Sequence, residues 1–485
     1  MAYTHGVYGT IIPSRASFPP SGVGTLPVYI GTAPVNTLVN PSTRVNVPFK
    51  VNSFDEAVAA VGYSDDWNTF TLCEAIYAHF KNPTQNIGPI VLINVFDPAS
   101  DFKAGTASIT LTNKVGYIDN DKVLLASCAV TGKVLGTDFA VEYVEVDGRV
   151  KVKFTDLTSG GIASPVSITF NEMDASKVIG TDIVGGMNPT TGVRTGISVV
   201  DLVYQEFGMV PTILAAPGWS HKPDVYAGLV AKCQNINGHW DAVCVVDMDS
   251  TAAGAKTIAA AKTWKVTNAY TSKYAKACWP KAKYAGKTFW LSTLTTVAMQ
   301  QVDFNNNSIP YETPSNKAIM ANGTILADNT AISFDEQQAT DLNSEGITTL
   351  AYIGGQWRLW GPHMGNYTYA AEDSIKPEDL FDASVRTLQY IKNSFQKNYV
   401  AAVDKPFSRR QIETILDEAQ VWLNGLVSEG AILYGKISFN AQSNPSGQVA
   451  RGNFIFDIRA TTTPPGKSIT FQIQYDAAGL TTLTE

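Results

Sequence analysis

A chain of 485 residues with 45% hydrophobic and 16% charged residues can bury a large combined core and divide into about two to four domains. Its net charge of −7, from 36 basic and 43 acidic residues, comes with no basic patch or tail, which argues against direct nucleic-acid binding. The low charged fraction suits a surface largely covered by other subunits.

The segment Met1-Ala2-Tyr3-Thr4-His5-Gly6 lacks the charged and apolar regions of a secretory signal. No stretch reaches the roughly 20 apolar residues of a membrane span. Cys73, Cys128, Cys233, Cys244 and Cys278 are scattered and never form a CxxC pair, so reduced thiols and synthesis in a cytoplasm are expected. Residues 1–24 are rich in Gly, Pro and Ser (Pro13, Pro19, Pro20, Gly22 and Gly24 among them). They are either a disordered tail or an extended arm that orders on a partner.

From Leu26 the pattern is globular. Val28-Tyr29-Ile30 reads as a buried strand, Ser53 as the cap of a helix with Asp55 and Glu56 in its first turn, and 69–81 as a second helix. Ile90 to Phe96 is a continuous apolar run, as in a strand buried on both faces. Between 99 and 181 the pattern becomes short strands, at 108–111, 123–127, 139–146, 149–154 and 166–170. Asp147-Gly148 is the strongest hairpin signal. An all-β block interrupting an α/β pattern is most simply an insertion.

The α/β pattern resumes at Thr195. A helix is expected to start around Ile197, Val200 and Leu202. Strands are expected at 212–216 and 242–246, the second ending at Asp247, with a helix over 225–233 between them. Two long amphipathic helices follow. One covers 377–400, with Val385, Leu388, Ile391, Phe395 and Tyr399 on one stripe; the other follows Ser408, with Ile412, Ile415, Leu416, Ala419, Trp422, Leu423 and Leu426 on one face. Gly430 closes it. The expected fold class is therefore α/β and α+β multidomain, with mixed sheets.

The tail carries period-two alternation twice. Phe454, Phe456 and Ile458 alternate with Ile455, Asp457 and Arg459. After Pro464-Pro465-Gly466, Ile469, Phe471, Ile473 and Tyr475 alternate with Thr470, Gln472 and Gln474. Both read as strands with one apolar face. The second has little chain left to cover its edge, so it must fold back on its own sheet or reach a neighbouring copy.

Motifs for chemistry are weak. There is no GxxxxGK[ST] or GxSxG, and Gly22-Val23-Gly24 lacks the third glycine of a dinucleotide fingerprint. Cys233, His239, Asp241 and Cys244 match no zinc spacing; buried thiols and a surface histidine account for the same letters. Asp247 and Asp249 end a strand where α/β enzymes hold carboxylates, but turn and cap roles are commoner, Asp249 preceding an Ala-rich helix. Ser220 and His221 are adjacent in sequence, whereas a catalytic pair must converge in space with an orienting acid. Trp357 and Trp360 flank Arg358 and read as core or interface anchors. No catalytic residue, metal or cofactor is assigned.

Ordered landmarks carry a resemblance instead. They are His5-Gly6-Val7-Tyr8, Ala215-Ala216-Pro217-Gly218, Thr313-Pro314-Ser315-Asn316-Lys317, Leu342-Asn343-Ser344-Glu345-Gly346-Ile347, Trp357-Arg358-Leu359-Trp360-Gly361, Val385-Arg386-Thr387, Gln448-Val449-Ala450-Arg451-Gly452 and Thr463-Pro464-Pro465-Gly466. In this order they resemble the tail sheath proteins of contractile-tailed phages and R-type pyocins, across most of the chain except the 99–181 block. Pro362-His363-Met364 departs from the family pattern.

The resemblance implies a self-assembling helical sleeve of six-subunit rings around a tail tube protein, bounded by baseplate and tail terminator proteins, with no nucleic-acid contact and no membrane insertion. It implies assembly in a bacterial host cytoplasm and a virion-tail location. It also implies a linking arm at 1–24, a central domain at 25–98 plus 182–360, an outer β insertion at 99–181 and a C-terminal domain at 361–485. Strand addition between subunits is assigned to Val7, Tyr8, Ile11, Phe454, Phe456, Ile458, Ile469, Phe471, Ile473 and Tyr475. Lys405, Arg409 and Arg410 are candidate tube contacts. The alternatives are the sheath of a phage-derived bacteriocin or other contractile injection system and, from another class, a cytoplasmic α/β enzyme with an accessory β domain.

Overall fold

The computed structural model describes residues 22–251 and 253–483. The chain is a mixed α/β protein built from several sheets, the largest having eight strands. Six of these run parallel, in the spatial order Ile347–Ile353, Ala275–Cys278, Val243–Asp247, Ile213–Ala215, Pro27–Gly31 and Ile90–Asn94. Gln356–Trp360 and Pro48–Val51 close the two edges in antiparallel fashion.

The apolar runs explain why these strands sit in the middle. Val243 and Val245 enter one core with the Leu291–Asn305 helix, whereas Cys244 and Val246 enter the other with the Pro223–Cys233 helix. Both faces of each strand are thus covered, as parallel sheets require. Ser53 caps the Phe54–Val61 helix by accepting from the Glu56 N–H.

Among the described residues, 102–173 contribute strands that pair only with one another: Phe102–Ile109 with Val166–Met173, and Arg149–Asp156 with both Val115–Ile118 and Phe139–Val146. They enclose their own small core around Val123, Phe139, Phe154 and Ile168. Several local expectations need correction. Phe102–Ile109 replaces 108–111, and Val115–Ile118 is an additional strand. Val123 makes a single bridge to Glu172 and Leu125–Ser127 is a 3-10 turn rather than a strand. Apolar letters there fill the small core without forming a ladder.

Gly196–Leu202 is likewise a 3-10 segment, with an α-helix following only at Val203–Phe207. Thr257, not Asp249, caps the Ile258–Thr267 helix by accepting from Ala260; Asp249 holds the turn at Thr251. The first long helix begins at Asp382 and ends at Tyr399, with Pro377–Asp379 forming a separate turn.

Two buried ion pairs fasten that helix, one to the central sheet and one to the Leu291–Asn305 helix packed on it. Lys276 and Asp382 are both fully buried, with Nζ 2.7 Å from Oδ2. The ammonium donates also to the carbonyls of Gly361 and His363, and the carboxylate accepts also from Thr313 Oγ1 and the Ala383 N–H. One turn later Arg386 grips Asp303 with both guanidinium nitrogens, while Thr25 Oγ1 donates to the same carboxylate at 2.6 Å. A buried pair is tolerable only when the remaining donors and acceptors are satisfied, and here they are. Asp382→Ala strands Lys276 in the interior and should destabilise the chain by about 3–5 kcal/mol in urea unfolding. Lys276→Met combined with Asp382→Leu should recover most of that loss.

Candidate functional site

The C-terminal ends of parallel strands are where α/β folds hold ligands, at the point where strand order reverses. Here that point lies between Pro27–Gly31 and Ile213–Ala215, and side chains fill it. Thr32 Oγ1 donates to the Thr69 carbonyl at 2.7 Å, and Trp219 Nε1 donates to Thr71 Oγ1 at 3.2 Å. A Cβ at Gly31 would lie 2.4 Å from Thr71 Oγ1. The glycine is needed because the threonine occupies the crevice.

The candidate catalytic letters have structural work. Asp247 accepts from the Ser292 N–H at 2.9 Å and from Ser292 Oγ, so it caps the positive end of the Leu291–Asn305 helix from the sheet. Ser220 Oγ accepts from the Asp247 N–H at 2.9 Å. His221 turns away and stacks on Trp290 at 5.1 Å, so Ser220 and His221 form no nucleophile–base pair. Burial pushes Asp247 up to about 6, against the lowering effect of its Ser292 bonds. Burial also raises Glu74, whose carboxylate accepts from the Trp290 N–H at 2.7 Å.

Cys233 and Cys244 are buried, Asp241 pairs with Lys392 at 2.6 Å, and His239 lies exposed against Trp240. Among the described residues no three His, Cys, Asp or Glu side chains converge as metal ligands. Trp357 packs edge-on to Tyr352, and Trp360 Nε1 donates to Thr340 Oγ1. Burial pushes the Cys278 thiol up to about 12, where it is unreactive.

The C-terminal region offers a different kind of site. Ile432–Ser438 and Asp457–Thr462 form an antiparallel hairpin, with Ile437 opposite Ile458 and Gly435 opposite Ala460. The Arg409–Ser428 helix covers it; Leu423 packs so close to Gly435 that a Cβ there would meet it at 3.1 Å. Phe454 stacks on Phe407 at 4.5 Å and Phe456 meets Phe439 at 5.3 Å. Phe454, Phe456 and Ile458 are therefore half-buried against their own chain, and only Ile458 of the three lies in the strand.

Beyond the hairpin the chain is strapped down and then released. Thr463 Oγ1 donates to the Gly430 carbonyl at 2.7 Å, and Lys467 Nζ reaches Glu372 at 2.8 Å and the Tyr367 hydroxyl at 3.2 Å. Among the described residues, 469–475 have no partner strand, and Ile469, Phe471, Ile473 and Tyr475 are 75–94% exposed. Lys405, Arg409 and Arg410 lie exposed around the start of the Arg409–Ser428 helix, where Arg409 pairs with Glu413 one turn on. Val7, Tyr8 and Ile11 lie outside the described residues. Sequence reasoning missed the Lys276–Asp382 pair and Lys467, whose partners are more than ninety residues away and leave no local signal.

No family model matches the sequence. The chain is 26% identical to the tail sheath protein of Burkholderia phage BcepMu, covering 99% of this chain and 98% of that one. It is 25% identical to the tail sheath protein of Escherichia phage P2, over 61% of this chain and 70% of that one. Among solved structures it is similar to the sheath of an extracellular contractile injection system, PVC, in the contracted state, with a TM-score of 0.56 at 13% identity over 99% and 100% of the two chains. A chain of the anti-feeding prophage baseplate has the same TM-score at 12% identity, covering 98% and 100%. The chain thus resembles contractile tail sheath proteins along nearly its whole length. Among the described residues no helix is long and apolar enough to cross a membrane.

The Asp247 environment generates a pH signature. Its folded value is raised, so the protonated form favours folding; that contribution is present at low pH and is lost as pH rises from about 4 to 6. Asp247→Asn should flatten this part of the stability profile by up to about 3 kcal/mol. Urea midpoints of the two proteins at pH 4, 5, 6 and 7 check this; parallel profiles would refute it.

Proposed function

We propose that this chain is the structural and mechanical subunit of a contractile tail sheath. The observation that carries the reading is the apolar strand-patterned segment Ile469–Tyr475, released without a partner by a chain that matches tail sheath proteins almost from end to end. Copies stack as six-subunit rings in a helical sleeve around a tail tube, between baseplate and terminator proteins. Contraction repacks the subunits into a lower-energy array and drives the tube through the host envelope. No cofactor is required.

Linkage is by strand addition, in which main-chain hydrogen bonds join copies while alternate side chains fit an apolar surface. Ile469, Phe471, Ile473 and Tyr475 are the donated face, and Val7, Tyr8 and Ile11 belong to a second link in the 1–24 arm. The hairpin that holds Ile458 is the acceptor, with Phe454 and Phe456 bracing it from within. The central domain comprises 25–98 and 182–360 and the C-terminal domain 361–485. The 99–181 block is an inserted domain on the outer surface, because an insertion must avoid both tube and links.

The reading as a sheath of an extracellular contractile particle shares every one of these features and is favoured by the likeness to PVC and the anti-feeding prophage. Capsid and terminase genes beside this one identify a phage and place the protein in a virion tail assembled in the host cytoplasm. The enzyme reading has less support, since the switch-point crevice is filled by Thr71 and Trp219 and Asp247 serves as a cap.

The tube contact is assigned to Lys405, Arg409 and Arg410. The Arg409–Ser428 helix has no acidic residue in its first turn, and cations stand at its positive end. That placement costs about 0.3–1 kcal/mol per charge, a cost explained if an acidic surface on the tube faces them.

Electron microscopy of purified protein tests the function: tubes or stacked rings are expected, and a strict monomer with saturable small-molecule binding would overturn it. Truncation after Pro464 should abolish polymer while leaving the thermal midpoint within a few degrees, because the large side chains of 469–475 are mostly exposed and contribute little packing among the described residues. Separately, Arg409→Glu with Arg410→Glu should suppress tube-templated assembly at low salt. Normal templated assembly of that variant would remove the tube contact and leave the strand links standing.

A further inference from the structure

The entry of the chain into the fold is fixed residue by residue. The Val23 N–H donates to Ser394 Oγ at 3.2 Å, Thr25 Oγ1 to Asp303 at 2.6 Å and the Leu26 N–H to Thr212 Oγ1 at 2.9 Å. Gly22 runs so close to Tyr390 that a Cβ there would collide with the Tyr390 hydroxyl. The residues before Gly22 therefore depart from one defined place, the flank of the Asp382–Tyr399 helix.

That flank carries an aromatic ledge. Tyr390 stacks on Trp422 of the Arg409–Ser428 helix with ring centroids 5.9 Å apart, and Trp422 meets Phe395 edge-on at 5.2 Å. Tyr390 is buried, whereas Trp422 is only half-buried. The indole thus keeps apolar ring surface in water that a further contact would cover favourably. Immediately before Gly22 stand Phe18-Pro19-Pro20-Ser21. Two successive prolines pre-set an extended polyproline path. From Gly22 back to Pro19 that path spans roughly 9 Å. Tyr390 bridges the same gap, with its hydroxyl at Gly22 and its ring on Trp422.

We propose that the occupant of this ledge is the chain's own Phe18-Pro19-Pro20 segment, whose proline pair lies on the Trp422 indole and fixes the root of the arm to its own subunit. The chemistry matches on both sides. A preformed polyproline backbone loses little entropy on docking against aromatic rings, and the indole N–H can donate to one of its carbonyls. Attachment through Gly22 holds the segment beside the ledge at an effective concentration of about millimolar, which a second copy in dilute solution does not match. The other proline pair, Pro464-Pro465, is tied elsewhere, because Thr463 bonds Gly430 and Lys467 bonds Glu372. The free arm is then 1–17 rather than 1–21, and its root moves with the two long helices. This holds whatever the far end of the arm binds, so it goes beyond the sheath reading and does not depend on it.

Hydroxyl-radical footprinting of the unassembled full-length protein, read by peptide mass spectrometry, tests the ledge. Pro19→Gly with Pro20→Gly should raise oxidation of Trp422 by roughly threefold or more as the indole face opens, with the other tryptophans unchanged. Equal oxidation of Trp422 in parent and variant overturns the contact. A second measurement tests the occupant: benzoylphenylalanine replaces Phe18, and an equal mixture of isotope-labelled and unlabelled protein is irradiated and mapped. Cross-links should join position 18 to the Arg409–Ser428 helix within one isotope. Cross-links of mixed isotope make the occupant a second copy's arm and overturn the assignment to the chain's own. Cross-links within one isotope that miss this helix overturn the placement. Neither measurement reads polymer, so failure of the sheath reading would leave both results standing.

Discussion

The Lys276–Asp382 pair is the constraint on which the rest of the molecule depends. Removing both charges from water is expensive, and a hydrophobic replacement would hold the helix to the sheet at least as well. What the pair adds is discrimination. The Lys276 ammonium is satisfied only when Gly361, His363 and Asp382 converge on it. Any slide of the helix by one turn leaves an unpaired charge in the core. With Arg386 locked on Asp303 one turn further on, the C-terminal region can take only one position on the central sheet. On the proposed sheath reading, a subunit that moves as a rigid body needs this, because strain at its surface must not be dissipated inside it.

On that same reading, rigidity throws the burden of connection onto the termini, and magnitudes show how thin a single link is. Burying four large side chains such as Ile469, Phe471, Ile473 and Tyr475 gains about 1.5–3 kcal/mol each. Fixing seven backbone residues in one extended conformation costs about 1–2 kcal/mol each. The two nearly cancel, so a lone strand addition between free subunits is marginal. On the sheath reading proposed above, two links per subunit within a ring change the arithmetic, since the second closes at high effective concentration. On that reading an exposed apolar segment is tolerable on the free chain, because it binds strongly only where an array of acceptors already exists.

The legibility of this structure in its sequence follows the range of the interactions involved. The strands at Val28–Ile30, 212–216 and 242–246 were readable because a parallel strand covered on both faces writes itself as an apolar run. The long helices were readable from their stripes, and Ser53 and Ser408 from local capping. The β block was misread at 123–127 because its small core recruits apolar side chains from turns as well as strands. The Ile197 region failed for a similar reason: the apolar spacing is helical, but Gly196 at φ +56° starts a tighter 3-10 path. What no local pattern can show is pairing at a distance. Lys276 reads as an interruption in a strand, and its reason stands 106 residues away in Asp382.

Gln420 belongs to the same class of hidden residue: its side-chain amide donates to the Gly435 carbonyl and accepts from the Ile437 N–H on the edge of Ile432–Ser438, which sharpens what edge protection means here. Natural sheets guard their edges with charge, proline or bulges, all of which repel any strand indiscriminately. An amide that imitates one rung fills the edge instead, with no buried charge and no distortion of the strand. Such a plug is reversible in principle, held by two hydrogen bonds worth about 0.5–1.5 kcal/mol each.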